Sequence, residues 1–194
     1  TLAPATAAVF TAVIDAFKQS DYTIVIGSMQ EAGVELEKMG LTESANYTQT
    51  KSGGAFVSHK DKVIVSSEDK DILHLHELIH ASTSASITFG LSDAVATSAS
   101  EKRAKYAVKQ LRILLKEFLS EEFVSNFEPN SEGESFYLKL RDMLLTYYAD
   151  DEFNQISEML AYLLPDPRTY EGLLKANTKA SIPAKFLEAI KKAI

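Results

Sequence analysis

Two histidines stand four residues apart around a glutamate. The stretch His76-Glu77-Leu78-Ile79-His80 has the pattern H-E-x-x-H. Residues four apart on an α-helix lie about 40° apart around the axis, so both imidazoles can reach one metal ion. Glu77 lies about 100° round from His76, which suits a base that holds a metal-bound water better than it suits a ligand. The pattern predicts a zinc site with its catalytic base.

The alternative is an ordinary helix that carries two surface histidines. The chain has only 4 histidines, and a chance match to the pattern is expected about once in a hundred chains of this composition. The neighbouring residues are mostly apolar, and ionisable groups on a buried helix cost free energy unless they are paired or metal-bound. Both points favour the metal site. His74 points about 160° away from His76, and we expect it at the surface or hydrogen-bonded.

A catalytic zinc needs a third protein ligand. The chain has no cysteine and no histidine after His80, and Thr83 and Ser86 occupy the positions where a longer motif has Gly and a third His. The ligand must therefore be a carboxylate. Glu158 is favoured because it stands in the apolar stretch "ISEMLAYLL", where a carboxylate calls for a compensating cation. The other candidates are Asp93, the main rival, and Glu101, Glu134, Asp142, Asp150, Asp151 and Glu152.

The stretches "LHLHELIHASTSASI" and "ISEMLAYLLPDP" resemble the zincin metallopeptidases of gluzincin type. They are more closely similar to the zincin-like domains of large polyvalent and virion-associated phage proteins. The resemblance covers about residues 22–174, although the gap from His80 to Glu158 is longer than in compact members. It implies zinc as the cofactor, His76, His80 and Glu158 as its ligands, and Glu77 as the general base.

The function expected from these residues is that of a zinc-dependent endopeptidase that hydrolyses peptide bonds through a metal-bound water activated by Glu77. Its substrate would be a protein or peptide, and its partners would include other domains of a larger parent protein. A group must also stabilise the oxyanion. Tyr162, one turn after Glu158, is one candidate and His59 is another, although Tyr162 could simply pack and His59 could simply face solvent.

Two other functions are compatible with the same residues. The chain could be a binding or structural module of a phage or polyvalent protein that has a zincin fold and weak or no proteolysis. It could also be a metal hydrolase that acts on a substrate other than a peptide, because fold-level analogy does not fix the reaction.

Composition limits the partners. The chain has 194 residues and a formal net charge of −7, which argues against a general nucleic-acid surface or an anionic membrane surface. We expect the cations at residues 102–105 and 191–192 to lie on solvated helix faces. No apolar run is long enough for a membrane span. The absence of cysteine does not fix a compartment, and the resemblance is compatible with a virion or the host cytoplasm.

The length of the chain and the absence of a clear linker predict a single domain over residues 1–194, cut from a longer protein. The motif helix should follow a cap at Ser66 or Ser67 and run to about Ser86. The predicted class is α+β and zincin-like, with a small N-terminal sheet that includes a hairpin and a mainly α-helical C-terminal half. The other elements are a helix at 5–17, a strand at 22–28, a helix at 29–39 ended by Gly40, hairpin strands at 55–58 and 62–66, a helical region at 93–127 broken near Ser120, and helices at 136–148, 151–164, 168–174 and 183–194.

Overall fold

The computed structural model describes residues 11, 15, 23–42, 54–59, 62–67 and 71–164. For residues 23–27, 54–59, 62–67 and 71–74 it describes the backbone alone. The helices predicted at 168–174 and 183–194 lie outside these residues. So does the helix predicted at 5–17, apart from Thr11 and Asp15, which are helical.

Three short strands precede the motif helix. They are Thr23–Ser28 (β1), Gly54–His59 (β2) and Lys62–Ser67 (β3), in the spatial order β1-β3-β2. β2 and β3 are antiparallel, whereas β1 runs parallel to β3. A parallel pair needs a crossover connection, and the helix Met29–Lys38 (α1) lies in the chain between β1 and β3.

The start and end of α1 follow from its sequence. Ser28 and Glu31 form a capping box, in which the Ser28 hydroxyl accepts from the Glu31 N–H and the Glu31 carboxylate accepts from the Ser28 N–H. This arrangement satisfies two backbone donors that the first turn leaves unpaired. Gly40 follows the helix with φ of 77°, a conformation that glycine adopts at little cost. The helix predicted over 29–39 and ended by Gly40 is confirmed.

The motif helix, Asp71–Leu91 (α2), continues beyond the end predicted at Ser86. Gly90 does not stop it, because this glycine serves close packing. A Cβ built on Gly90 would lie 2.2 Å from Val108 Cγ2 and 2.9 Å from the Ala104 carbonyl oxygen. A glycine at such a contact lets two helix backbones approach closely.

The next helix is Ala99–Phe118 (α3), and it starts later than the predicted residue 93. A second capping box fixes the start, since the Ser98 hydroxyl accepts from the Glu101 N–H and the Glu101 carboxylate accepts from the N–H groups of Ser98 and Thr97. These hydrogen bonds, from Ser98 first and then Thr97, lower the pKa of Glu101 to about 2. The predicted break near Ser120 is confirmed by a 3₁₀ helix at Glu121–Asn126.

Two further helices complete the described chain, Glu132–Thr146 (α4) and Glu152–Leu163 (α5). α4 starts four residues before the predicted residue 136, because Ser131 caps it by accepting from the Glu134 N–H. α5 agrees with its predicted span to within a residue, and Asp151 is its N-cap.

The C-terminus of α3 is held by side chains of α4. The Tyr137 hydroxyl lies 2.8 Å from the Phe118 carbonyl and 3.2 Å from that of Ser120, so it shares its proton between them. Arg141 Nε donates to the Leu119 carbonyl at 2.9 Å. These bonds occupy carbonyls that a helix end leaves without partners. The Tyr137 ring also packs against three phenylalanines, Phe118, Phe123 and Phe127.

The fold class predicted from the sequence is wrong. The part of the chain that the structure describes is mainly helical, and its three short strands do not make it a zincin-like α+β fold. The physical reason is visible between Ala99 and Leu163, where one amphipathic helix follows another. The buried side chains that the structure describes come from the helices and the 3₁₀ segment, apart from Phe127 and Leu164, which directly follow such segments.

The chain forms two compact units. One is Val13–Ser82, which contains the strands and α1, and the other is Thr1–Ala12 together with Thr83–Ile194, which contains α3, α4 and α5. The single domain expected over residues 1–194 stays a prediction. Among the described helices, none combines the length and the apolar character needed to cross a membrane.

Candidate metal centre

His76 and His80 face one another on α2. Their Nε2 atoms lie 2.9 Å apart and their ring centroids 4.6 Å apart. Both side chains are buried, at 9% and 7% exposure. The apolar residues around them in the sequence bury the helix on this side, and the four-residue spacing then brings the two imidazoles together.

The separation of the two nitrogens fits a shared metal ion. Two nitrogens on a tetrahedral zinc stand about 3.3 Å apart, because zinc–nitrogen bonds are about 2.0–2.1 Å long. The observed 2.9 Å is a few tenths shorter, which a small rotation of either ring corrects. The same distance also suits an N–H···N hydrogen bond between neutral imidazoles. A metal ion would require both imidazoles in their neutral form.

Glu158 supplies the third donor. It is half-buried on α5. One ligand atom from each of His76, His80 and Glu158 lies within 4.8 Å of the other two. Two imidazole nitrogens and one carboxylate oxygen are a ligand set that zinc accepts, with one position left for water. The structure therefore contains a candidate metal-binding triad made of the residues that the sequence singled out.

The rival carboxylates have other roles or are exposed. Glu101 belongs to the capping box of α3, and Asp151 caps α5. The Glu134 carboxylate accepts from the Asn130 N–H, and Glu152 pairs with Arg112. The remaining rivals, Asp93, Asp142 and Asp150, are exposed. Among the described residues, Glu158 is the carboxylate that groups with the two histidines.

Two residues that the sequence analysis did not single out position α5. Gln155, buried one turn before Glu158, donates its amide N–H to the Leu144 carbonyl at 3.2 Å, near the end of α4. Arg112 on α3 forms two hydrogen bonds of 2.6 Å with the Glu152 carboxylate, which raise the pKa of Arg112. A signal for Gln155 existed in the sequence, because this amide interrupts an apolar face of α5 and a buried amide needs a partner.

Glu77 is 7% exposed, and this burial suits a group that must act away from bulk water. Tyr162 lies half-buried one turn after Glu158, with its ring 6.1 Å from that of Phe136 in an edge-on contact. His59 is the last residue of β2, and its side chain lies outside what the structure describes. The roles of Glu77 as base and of Tyr162 or His59 as oxyanion donor stay predictions.

No protein family, curated protein or solved structure matches this chain.

Proposed function

We propose that this protein is a zinc-dependent hydrolase that cleaves peptide bonds, with His76, His80 and Glu158 as the metal ligands and Glu77 as the general base. The observation that carries the proposal is the convergence of three donor atoms of the right type within 4.8 Å. The order of these residues along the chain, H-E-x-x-H followed by a distant glutamate, is also the order in the gluzincin peptidases that the sequence resembles.

Each residue has a separate task in this reaction. A bound zinc ion would supply a Lewis acid that polarises the scissile carbonyl and makes the attacking water more acidic. His76 and His80 would hold this ion through ring nitrogens, and Glu158 would hold it through a carboxylate whose negative charge offsets that of the cation. Glu77 accepts the proton of the attacking water and passes it to the leaving amine. Such a base typically contributes about 10²- to 10⁴-fold to the rate.

The burial of His76, Glu77 and His80 favours a second candidate, a metal site that only stabilises the fold. Structural zinc sites are closed by four protein ligands, whereas catalytic sites keep three. The group found in the described residues has three members. The role of Glu77 separates the two candidates, because a structural site has no use for a base.

The decisive variant is Glu77→Gln. It preserves the size of the side chain and removes its basicity, so zinc content and melting temperature should match those of the parent while cleavage of an unstructured protein substrate falls by about 10²-fold or more. Glu122→Gln, at an exposed position outside the triad, is the matched control and should cleave like the parent. Equal cleavage by the Glu77→Gln variant and the parent would exclude Glu77 as the base. Zinc binding without any cleavage by the parent would favour the structural site.

A further inference from the structure

Solvent reaches the second half of α5 at two residues only, and one of them is a candidate metal ligand. Every residue of α5 from Gln155 to Leu163 is buried except Glu158 and Tyr162, which are half-buried. These two residues are four apart, so they lie about 40° apart around the helix axis and about one turn apart along it. The accessible strip of this part of α5 therefore consists of the Glu158 carboxylate and the Tyr162 side chain.

Helix geometry directs the Tyr162 ring back towards Glu158. Side chains on an α-helix tilt towards its N-terminus, so a residue covers the turn that precedes its own Cα. For Tyr162 that turn contains Glu158. The two residues are separated by about 6 Å along the helix axis, which is about the length of two residues of extended chain. The ring is thus within reach of a substrate side chain that flanks a peptide carbonyl at the metal.

Phe136 of α4 extends this aromatic surface. Its ring centroid lies 6.1 Å from that of Tyr162, with the ring planes at 61°, which is an edge-on contact typical of aromatic pairs. Phe136 is half-buried, whereas its neighbour Tyr137 is fully buried in the core. We call Phe136 and Tyr162 the aromatic pair. Both residues make further contacts, yet each keeps part of its surface exposed.

We propose that the aromatic pair is the specificity subsite of this peptidase and binds a large apolar side chain, such as that of phenylalanine, next to the scissile bond. The inference rests on the proposed function, because Glu158 as a ligand fixes where the scissile carbonyl would lie. A large apolar side chain gains free energy when the rings remove its surface from water, and aromatic side chains commonly line ligand sites. A charged side chain would lose hydration against the same rings.

The ring and the hydroxyl of Tyr162 have separate roles in this proposal. The hydroxyl is a predicted oxyanion donor, and such a donor would stabilise the transition state of every substrate alike. A ring that contacts a substrate side chain instead changes the affinity for one substrate relative to another. The Tyr162→Phe variant keeps the ring and removes the hydroxyl, so it should keep the preference for a large apolar side chain.

The test compares two zinc-binding probes that differ in one side chain, the hydroxamates of N-acetylphenylalanine and N-acetylalanine. A hydroxamate binds zinc through its oxygens, so its side chain lies beside the metal. Isothermal titration of the full, zinc-loaded chain gives the Kd of each probe for the parent, Phe136→Ala, Tyr162→Phe and Leu138→Ala. Leu138 is the matched control, since it is 44% exposed on the same helix as Phe136. Circular dichroism and zinc content check that every variant is folded and loaded.

The parent should bind the phenylalanine probe at least about tenfold more tightly than the alanine probe. Phe136→Ala should reduce this ratio to less than about threefold, whereas Tyr162→Phe and Leu138→Ala should keep it. Equal affinity of the parent for both probes, an unchanged ratio in Phe136→Ala, or an equal loss in Leu138→Ala would overturn the subsite and leave the proposed function standing. A zinc-loaded parent that binds neither probe would overturn the proposed function and the subsite with it.

Discussion

The positions of the His76 and His80 imidazoles determine where a third ligand of a shared metal ion would have to lie. Their Nε2 atoms, 2.9 Å apart, could share one small cation, and an anionic third ligand would offset part of its charge. Glu158 is such a ligand, and its half-buried position on α5 makes a compensating cation favourable. If the triad holds a metal, removal of any one ligand should weaken binding far more than removal of a carboxylate elsewhere.

The Glu158→Ala variant tests whether Glu158 is a ligand of the metal ion. Loss of one of three ligands should lower zinc affinity by at least about tenfold, since loss even of groups that only support the ligands costs about 10- to 100-fold. Isothermal titration with zinc measures the affinity. Asp93→Ala is the matched control, because Asp93 was the main rival ligand and is exposed. Asp151→Ala is a poorer control, since Asp151 caps α5 and its loss would disturb the helix that carries Glu158. Equal affinities of the Glu158→Ala and Asp93→Ala variants would remove Glu158 from the site.

At the scale of elements, side chains from one helix hold the end of the previous one. Tyr137 and Arg141 of α4 bind the last carbonyls of α3, and Gln155 of α5 binds the Leu144 carbonyl near the end of α4. These bonds fix the helices along their axes as well as side by side. The position of Glu158, one turn after Gln155, therefore depends on the end of α4.

The Gly90→Ala variant tests the close contact between the end of α2 and α3. Alanine is the better helix former by about 1 kcal/mol, but its Cβ would lie 2.2 Å from Val108 Cγ2. Val108 is buried and β-branched, so it has few rotamers to move to. We expect a net loss of about 1–3 kcal/mol in the free energy of unfolding, measured by urea denaturation. Thr88→Ala, on the exposed side of the same helix, should change it by less than about 0.5 kcal/mol. A Gly90→Ala variant more stable than the parent would show that the two helices are not in this contact.

The buried Tyr137 hydroxyl should make the folded state less stable at high pH. Burial raises the pKa of Tyr137 to about 12, although nearby Arg141 opposes the shift. The folded state therefore holds this proton more tightly than the unfolded chain, whose tyrosines titrate near pH 10. Its contribution to stability is complete below about pH 10 and is lost as the pH rises towards 12. The parent should lose more stability than Tyr137→Phe between pH 9 and pH 11.5, as followed by denaturant midpoints. Tyr147→Phe, at an exposed position, should behave like the parent. Parallel curves for the parent and Tyr137→Phe would contradict the shift.

At the scale of the whole molecule, the candidate triad was easier to predict from the sequence than the fold class was. The spacing of His76 and His80 and the apolar neighbours of Glu158 were enough to predict the candidate triad, because both follow from helix geometry and burial. The start of α3 was misplaced because the region from Asp93 is polar, and the capping box at Ser98 and Glu101 is what decides where the helix begins. The end of α2 was placed too early, at about Ser86, because the close contact between Gly90 and Val108 is not visible in the sequence.

The prediction of a zincin-like class failed for a different reason. It extended a likeness over two short stretches to the whole of residues 22–174, although the segment between His80 and Glu158 is filled by α3, the 3₁₀ helix and α4. The candidate triad does not depend on the predicted fold class, since its geometry rests on three side chains. The catalytic proposal therefore depends on whether these side chains bind a metal ion.

X-ray absorption at the zinc edge would show whether His76, His80 and Glu158 bind zinc. The protein is loaded with one equivalent of zinc and freed of unbound metal by gel filtration. We expect a four-coordinate zinc with two imidazole ligands and the remaining bonds to oxygen, with all bond lengths of about 2.0–2.2 Å. A protein that retains no zinc, or a zinc bound by oxygen alone without imidazole scattering, would contradict it.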